Sequence, residues 1–364
     1  IVAGTDDQGG MALSNYARAS SGRYSTSYVY LWDLPTNAYP PSSSSGRVLP
    51  TEEALNADPD MTGNEYGVWR ARNYKYNSIY YNPNIMYRPW IGQDINNNDF
   101  VDANPGAIRL EPRDPTNTFD MLSSHTYDAT RVPEWDNNGG RNTVDVDGSE
   151  SLYIPRSYTT PANAPIEWDD PHTLVELRPA NAPWPAADGR EDCASDGDPT
   201  TCSYVEESQN FANWFQYYRS REHVTKASIG RVVSEVTDVR IGYETISNTG
   251  SEEVRLMNEL YTEGDKKLLL DNIYDVDSYG GTPLRQALGR AGQIFACQTG
   301  NYCPALPAPD GMCQQNFALL FSDGYWNGGA GVPGIDDTDG AGPFDGGRYA
   351  DSINATLADV AMYY

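Results

Sequence analysis

The sequence predicts an α/β protein in which a parallel-rich sheet carries a large, mostly irregular or β insertion. Three observations lead to this prediction. The composition changes sharply at Ser203, helix-like and strand-like segments alternate after that point, and residues 316–321 form the continuous apolar run "NFALLF". Alternating helices and strands are typical of parallel sheets, and a strand covered on both faces has an unbroken apolar run.

The bulk composition excludes several partners. The chain has 364 residues, with 51 Asp and Glu against 25 Lys and Arg, which gives a net charge of -26. Such a surface repels phosphates, so neither a nucleic acid nor an anionic membrane is an expected partner. No run of 18 apolar residues occurs, and no transmembrane segment is predicted.

The five cysteines indicate disulfides rather than a zinc site, because none lies in a Cys-x-x-Cys pair. Cys193 and Cys202 flank the short polar loop "ASDGDPTT", so we predict a disulfide between them and an oxidising compartment. Two of Cys297, Cys303 and Cys313 can form a second pair, and the spacing does not select which two.

The first 200 residues divide into two predicted regions. Residues 1–10 begin with "IVAG", a short first strand. Residues 11–200 are rich in Gly, Pro and Tyr and lack strong helical periodicity. They predict an ordered insertion of irregular structure and short strands, pinned by aromatic side chains.

Residues 201–364 carry the helix–strand alternation. Ser203 and Glu206 predict a capping box at the start of a long amphipathic helix that bends near Gly230. A strand over residues 239–246 and a polar helix over residues 252–260 follow.

The remaining elements complete the predicted sheet. A helix begins at Pro283, since proline suits a first helical turn. A buried strand spans residues 316–323, and the last helix spans residues 352–364. That helix has no stop signal, and the chain has neither an initiator Met nor a signal peptide. We therefore interpret the sequence as a mature chain or a fragment that is truncated at its C-terminus.

Three oxygen-bearing residues follow or adjoin the predicted strand ends. Asp6 follows the first strand, Thr282 lies in a Gly-rich loop before a helix, and Asp323 ends the buried strand. Ligands of open α/β sheets bind at the carboxyl ends of strands, and hard divalent cations prefer oxygen ligands. These residues therefore predict one cation site, and their arrangement resembles the metal-ion-dependent adhesion site of von Willebrand factor A domains.

Longer stretches extend this resemblance. They are "YNPNIMYRPW", "QNFANWFQYYRSR", "GGTPLRQAL", "CQQNFALLFSDGYWNG" and "YADSINATLADVAMYY", in this order from about Tyr74 to the end. They resemble signature stretches of the PilY family of type IV pilus tip adhesins and biogenesis factors. The resemblance implies a von Willebrand A-like (Rossmann-like) domain in an extracellular, cell-surface protein at the pilus tip. The resemblance also implies a C-terminal β-propeller after that domain, and no stretch of this sequence resembles one.

The same resemblance implies a function in pilus assembly, twitching motility and adhesion. The implied partners are minor pilins at the fibre tip and ligands on host or abiotic surfaces. One departure concerns the metal: the family pattern Asp-x-Ser-Gly-Ser is replaced by "DDQGG" at residues 6–10. Both serine hydroxyls are missing, so we expect a weak Mg²⁺ site or none at Asp6, Thr282 and Asp323.

A second candidate metal site lies in "DINNNDFVD". Oxygen donors occur at Asp94, Asn96, Asn98 and Asp102, with the carbonyl of Phe100 between them, at the spacing of a calcium loop. The sixth position holds Asp99 instead of Gly, and the twelfth holds Pro105 instead of Glu. An Asn-rich turn without metal is the alternative. Beyond Ca²⁺ or Mg²⁺, no cofactor is predicted.

No catalytic motif is present. The sequence contains no Gly-x-Ser-x-Gly elbow, Walker loop or His-Glu-x-x-His, and His125, His172 and His223 lie in unrelated contexts. The function that the resemblance to the PilY family implies is binding and assembly, not catalysis. The alternatives are a secreted hydrolase with an acidic cleft and a structural cap without a ligand of its own.

Overall fold

The computed structural model describes residues 73–161, 173–247, 264–298, 303–322 and 350–364, together with 255–256, 326 and 328–329; short gaps within these ranges lie at 76–77, 123, 129–130, 136–140, 146–148, 154, 195–196 and 277–280. The chain divides into two compact units, with the boundary between Val232 and Val233. This boundary lies beyond the compositional break at Ser203.

Ten short strands lie in the described residues of the first unit. They are β1 (Ile108–Glu111), β2 (Asp114–Phe119), β3 (Ser124–Asp128), β4 (Arg131–Trp135), β5 (Arg141–Asp145), β6 (Ser149–Tyr153), β7 (Arg156–Thr159), β8 (Thr173–Glu176), β9 (Trp184–Pro185) and β10 (Thr201–Cys202). They pair antiparallel as β1–β2, β3–β6, β4–β5, β7–β8 and β9–β10. Each pair forms a separate two-stranded sheet.

Two helices follow these strands: α1 (Tyr204–Tyr218) and α2 (Arg221–Glu235). The predicted capping box is present, since the Ser203 side chain accepts from the Glu206 N–H and the Glu206 side chain accepts from the Ser203 N–H. The single long helix predicted here is two helices, and Gly230 lies within α2. The helix is interrupted at Arg219 and Ser220, where both residues are buried.

Aromatic side chains form the core of the first unit around α1. Phe211, Trp214, Phe215 and Tyr217 of α1 are at most 1% exposed, and Tyr80 and Tyr81 pack against them from the preceding segment. The ring centroids of Tyr80 and Trp214 lie 4.7 Å apart, and those of Tyr81 and Phe211 lie 4.8 Å apart. Such contacts bury large apolar areas, so α1 lies at the centre of the described aromatic core.

The second unit contains β11 (Arg240–Ile241), β12 (Arg255–Leu256), α3 (Asp265–Tyr274), α4 (Leu284–Phe295) and α5 (Leu357–Tyr363). Helix α4 follows Pro283, as predicted, and α5 lies within the predicted last helix. The ring of Tyr364 lies where a side chain on Gly292 would lie, so this glycine allows the close approach to α4.

Three sequence predictions for this unit are wrong in the described residues. The strand predicted at 239–246 is reduced to Arg240–Ile241, and Arg255–Leu256 is its antiparallel partner, not part of a polar helix. Residues 314–322 form no strand, and Phe317 is 81% exposed. A buried strand needs neighbouring strands for its N–H and C=O groups, and none of the described strands pairs with this segment. The von Willebrand A-like sheet itself stays a prediction.

Candidate functional site

The predicted adhesion-type metal residues are only partly described. Asp6 and Asp323 lie outside the described residues. Thr282 is half-buried directly before α4, and its carbonyl accepts from the Leu284 N–H at 2.9 Å. The predicted convergence of the three residues therefore stays a prediction.

The candidate calcium loop is fully described and closes on the side chain of Asp94. Oδ1 of this carboxylate accepts from the N–H groups of Asn96 and Asn98, at 2.9 and 3.0 Å. Oδ2 lies 3.1 Å from Nη1 of Arg109. Burial raises the pKa of the Asp94 carboxyl, but these hydrogen bonds outweigh that effect and hold its pKa below the ordinary value.

The described contacts of Asp94 oppose a calcium ion at this loop. The two Asp94 oxygens already bind backbone N–H groups and a guanidinium cation, and a second cation beside Arg109 would be repelled. Oδ1 of Asp102 accepts from the Asn213 side-chain amide at 2.9 Å. In this arrangement Asp94 stabilises an Asn-rich turn, and calcium binding at the loop stays a prediction.

Among the described residues, the one cluster of three side chains with potential metal-ligand atoms is Cys193, Cys202 and Glu207. The cysteines form the predicted disulfide, with sulfurs 2.03 Å apart, so their sulfurs are not available as thiolate ligands. Cys297 and Cys303 are also bonded, and Cys313 is an exposed free thiol.

Among the described residues of the first unit, a row of polar side chains on α1 makes many buried hydrogen bonds. We call it the polar stripe; its members, spaced three residues apart, are Glu207, Asn210, Asn213 and Gln216. All four are at most 4% exposed.

 Residues three apart lie close together on one side of a helix, so the stripe presents a continuous row of donors and acceptors.

The polar stripe binds the backbone of the irregular segment before it. The Asn210 side chain accepts from the Tyr87 N–H at 2.7 Å and donates to the Ile85 carbonyl at 2.8 Å. The Asn213 side chain accepts from the Ala103 N–H at 2.8 Å and donates to the Tyr87 carbonyl at 2.9 Å. These bonds satisfy buried backbone groups that have no strand partner, which is why an irregular segment can pack here.

The aromatic residues of α1 bind the same segment through their polar atoms. Trp214 Nε1 donates to the Ile79 carbonyl, and the hydroxyls of Tyr217 and Tyr218 donate to the carbonyls of Val101 and Arg88. In the opposite direction, Trp90 Nε1 donates to the Tyr217 carbonyl. Residues 79–110 are therefore held along the length of α1 by side-chain contacts.

A buried ionic cluster lies at the start of the polar stripe. Nη2 of Arg190 is 2.8 Å from Oε2 of Glu207, and Nε of the same guanidinium is 2.8 Å from Oδ1 of Asp192. The Tyr81 hydroxyl donates to Glu207 Oε1. Burial raises the pKa of Tyr81, and the charge of Glu207 raises it further, so the phenol stays protonated and serves as a donor.

The cluster is a structural anchor and offers no open catalytic position. Every charged side chain in it has an ionic partner, and the neighbouring Cys193–Cys202 disulfide fixes the chain next to Asp192. Sequence analysis missed the polar stripe, although "ESQNFANWFQ" shows polar residues at every third position. The polar stripe binds backbone groups that lie about 100 residues earlier in the chain, and no local sequence pattern reveals such distant partners.

No helix among the described residues is both long enough and apolar enough to cross a membrane. No protein-family model matches the chain, and no solved structure matches it.

Three known proteins match part of the chain. It is 29% identical over 178 residues to the type IV pilus biogenesis factor PilY1 of Pseudomonas aeruginosa strain PAK, which covers 43% of this chain and 15% of that protein. It is 28% identical over 183 residues to PilY1 of strain PAO1, covering 44% and 16%. PilY1 of strain UCBPP-PA14 is 30% identical over 173 residues, covering 43% and 15%. The matched region is thus a small part of these relatives.

Proposed function

Since this chain is related to the PilY1 biogenesis factors of type IV pili, we propose that it acts in pilus assembly and, at the fibre tip, in adhesion to host or abiotic surfaces. The match over 173–183 residues is the observation that carries this proposal. Its expected partners are minor pilins at the tip, and its expected location is extracellular.

The described residues support an extracellular binding role through their chemistry. Two disulfides are typical of oxidising environments, and the net charge of -26 favours solubility outside the cell. The relatives are named as biogenesis factors, which supports a protein that acts by binding instead of catalysis. We also propose that the chain belongs to a von Willebrand A-like domain in which Asp6, Thr282 and Asp323 face one pocket, with weak Mg²⁺ binding or none.

Deletion of the gene in the source organism tests the assembly proposal. We expect a loss of sheared surface pilin with unchanged total pilin, and recovery when the wild-type gene is restored. Two variants of the restored gene then show whether the fold of the first unit is needed. Val205→Ala alters an exposed residue of α1, whereas Asn213→Ala removes a member of the polar stripe. We expect Val205→Ala to restore pili and Asn213→Ala to restore fewer. Normal surface pilin in the deletion strain would refute the proposal.

Adhesion needs a separate measurement. The purified chain, immobilised on beads, should retain beads on epithelial cells or on polystyrene more strongly than beads coated with a protein of equal net charge. Equal retention of both bead types would contradict the proposed adhesion and would not bear on the proposed role in pilus assembly.

A further inference from the structure

The junction between α1 and α2 buries a histidine. His223 lies in the first turn of α2 and is 3% exposed, and Ser220 before it is completely buried. The His223 N–H donates to Ser220 Oγ at 3.0 Å, which fixes the start of the helix. The imidazole packs edge-on against Trp90, with ring centroids 5.4 Å apart and an interplanar angle of 89°.

Neither ring nitrogen of His223 has a close hydrogen-bond partner among the described residues. Nε2 lies 3.9 Å from Oε2 of Glu111 at the end of β1, which is too long for a hydrogen bond. Nδ1 is buried and has no hydrogen-bond partner in the part of the chain that the structure describes. A neutral imidazole donates from only one nitrogen, whereas the protonated ring donates from both. Protonation of His223 would therefore create a buried cation whose nearest carboxylate lies 3.9 Å away, with one N–H donor that has no acceptor among the described residues.

The surrounding charges add to this effect. Arg219 precedes α2 and donates to the Phe215 and Leu110 carbonyls, and Lys226 is paired with Glu222 on α2 at 2.5 Å. Burial and the charge of Arg219 lower the pKa of His223 to about 4, while Glu111 and Glu222 oppose the shift. Burial raises the pKa of Glu111, but His223, Lys226 and Arg219 together hold it below the ordinary value, so protonation of the ring is the change that adds positive charge to the junction.

We propose that this junction is an acid-sensitive latch: neutral His223 holds the start of α2 against Trp90 and β1, and protonation of the ring opens that contact. The proposal is independent of the pilus function. The latch would make the first unit respond to pH.

The direction follows from the two protonation equilibria. An exposed histidine has a pKa of about 6.5, so the open form binds a proton more readily than the closed form. The latch is intact above about pH 6.5, weakens as the pH falls below that value, and is fully weakened below about pH 4. The opening equilibrium at pH 4.5 should exceed that at pH 7.5 by about 70-fold, and the limit at lower pH is about 300-fold.

Hydrogen–deuterium exchange of the purified chain at pH 7.5 and 4.5, corrected for intrinsic exchange rates, tests the latch. In the wild type, we expect the protection of β1 and the start of α2 to fall by several tens-fold at pH 4.5, while α4 in the second unit changes little. His223→Phe keeps an aromatic ring against Trp90 but cannot be protonated, so it should keep its protection.

Two further measurements keep the test decisive. If His223→Phe does not fold, His223→Gln serves as the neutral variant. An NMR titration of the wild type, with the His223 signal assigned by its absence in the variant, reports the ring directly. Equal loss of protection in the wild type and the neutral variant, or titration of His223 near pH 6.5 in the folded protein, would overturn the proposal.

Discussion

Asn213 is the residue at which the role of the polar stripe can be tested most sharply. Its side chain accepts from the Ala103 N–H at 2.8 Å and donates to the Tyr87 carbonyl and Asp102 Oδ1, both at 2.9 Å. Asn213→Ala removes all three bonds and leaves two backbone groups buried, since Ala103 and Tyr87 are at most 9% exposed.

The expected loss of stability follows from these contacts. A buried group left without its partner costs about 1–3 kcal/mol, so the two backbone groups together cost about 2–6 kcal/mol. Alanine has a higher helix propensity than asparagine, and this offsets about 0.5 kcal/mol of the loss in stability. We therefore expect Asn213→Ala to lower the free energy of unfolding of the first unit by about 2–5 kcal/mol.

Urea denaturation followed by tryptophan fluorescence measures this change, because Trp90 and Trp214 are buried in the first unit. The matched control is Val205→Ala on the same helix, where the side chain is 73% exposed and the change should stay within about 0.5 kcal/mol. If Asn213→Ala shifts the midpoint no more than Val205→Ala does, the polar stripe does not hold the irregular segment, and this reasoning is wrong.

Three further predictions concern the disulfide, the Asp94 loop and the contact between α4 and the chain end. Replacing Cys193 and Cys202 by serine should lower the unfolding free energy by about 2–3 kcal/mol in the same denaturation assay, and an unchanged midpoint would contradict this estimate. Calorimetric titration of the wild type with Ca²⁺ should show no tight binding. Asp94→Ala should lower the free energy of unfolding by about 1–3 kcal/mol, because the Asn96 and Asn98 N–H groups lose their acceptor. A tight calcium site that Asp94→Ala abolishes would contradict this prediction and support the calcium loop. Gly292→Ala should lower the thermal midpoint of the second unit despite the better helix propensity of alanine, because the added methyl group meets the Tyr364 ring; a raised midpoint would show that this contact is absent.

Local signals in the sequence were sufficient for the helix ends. The capping box at Ser203 and Glu206 depends on residues three apart, and the start of α4 depends on Pro283. Both can be recognised without knowledge of the rest of the chain. The disulfide between Cys193 and Cys202 was predictable for the same reason, since the loop that it closes is short.

Features that depend on distant partners were not predictable. The helix break at Arg219 and Ser220 is stabilised by burial against other segments, for example by the bond from Arg219 to the Leu110 carbonyl. The apolar run at residues 316–321 has the composition of a buried strand, but periodicity cannot show whether neighbouring strands pair with it. Likewise, the donor spacing from Asp94 to Asp102 matches a calcium loop, and only the structure shows Arg109 on the first carboxylate.

Immunogold labelling of intact cells with antibodies against this chain tests the proposed function most directly. We predict gold particles at the free ends of type IV pili in the wild type and none on the deletion strain. Labelled pilus ends should reappear when the wild-type gene is restored. Pili whose ends carry no label, in a strain that produces and exports the protein normally, would contradict the proposal.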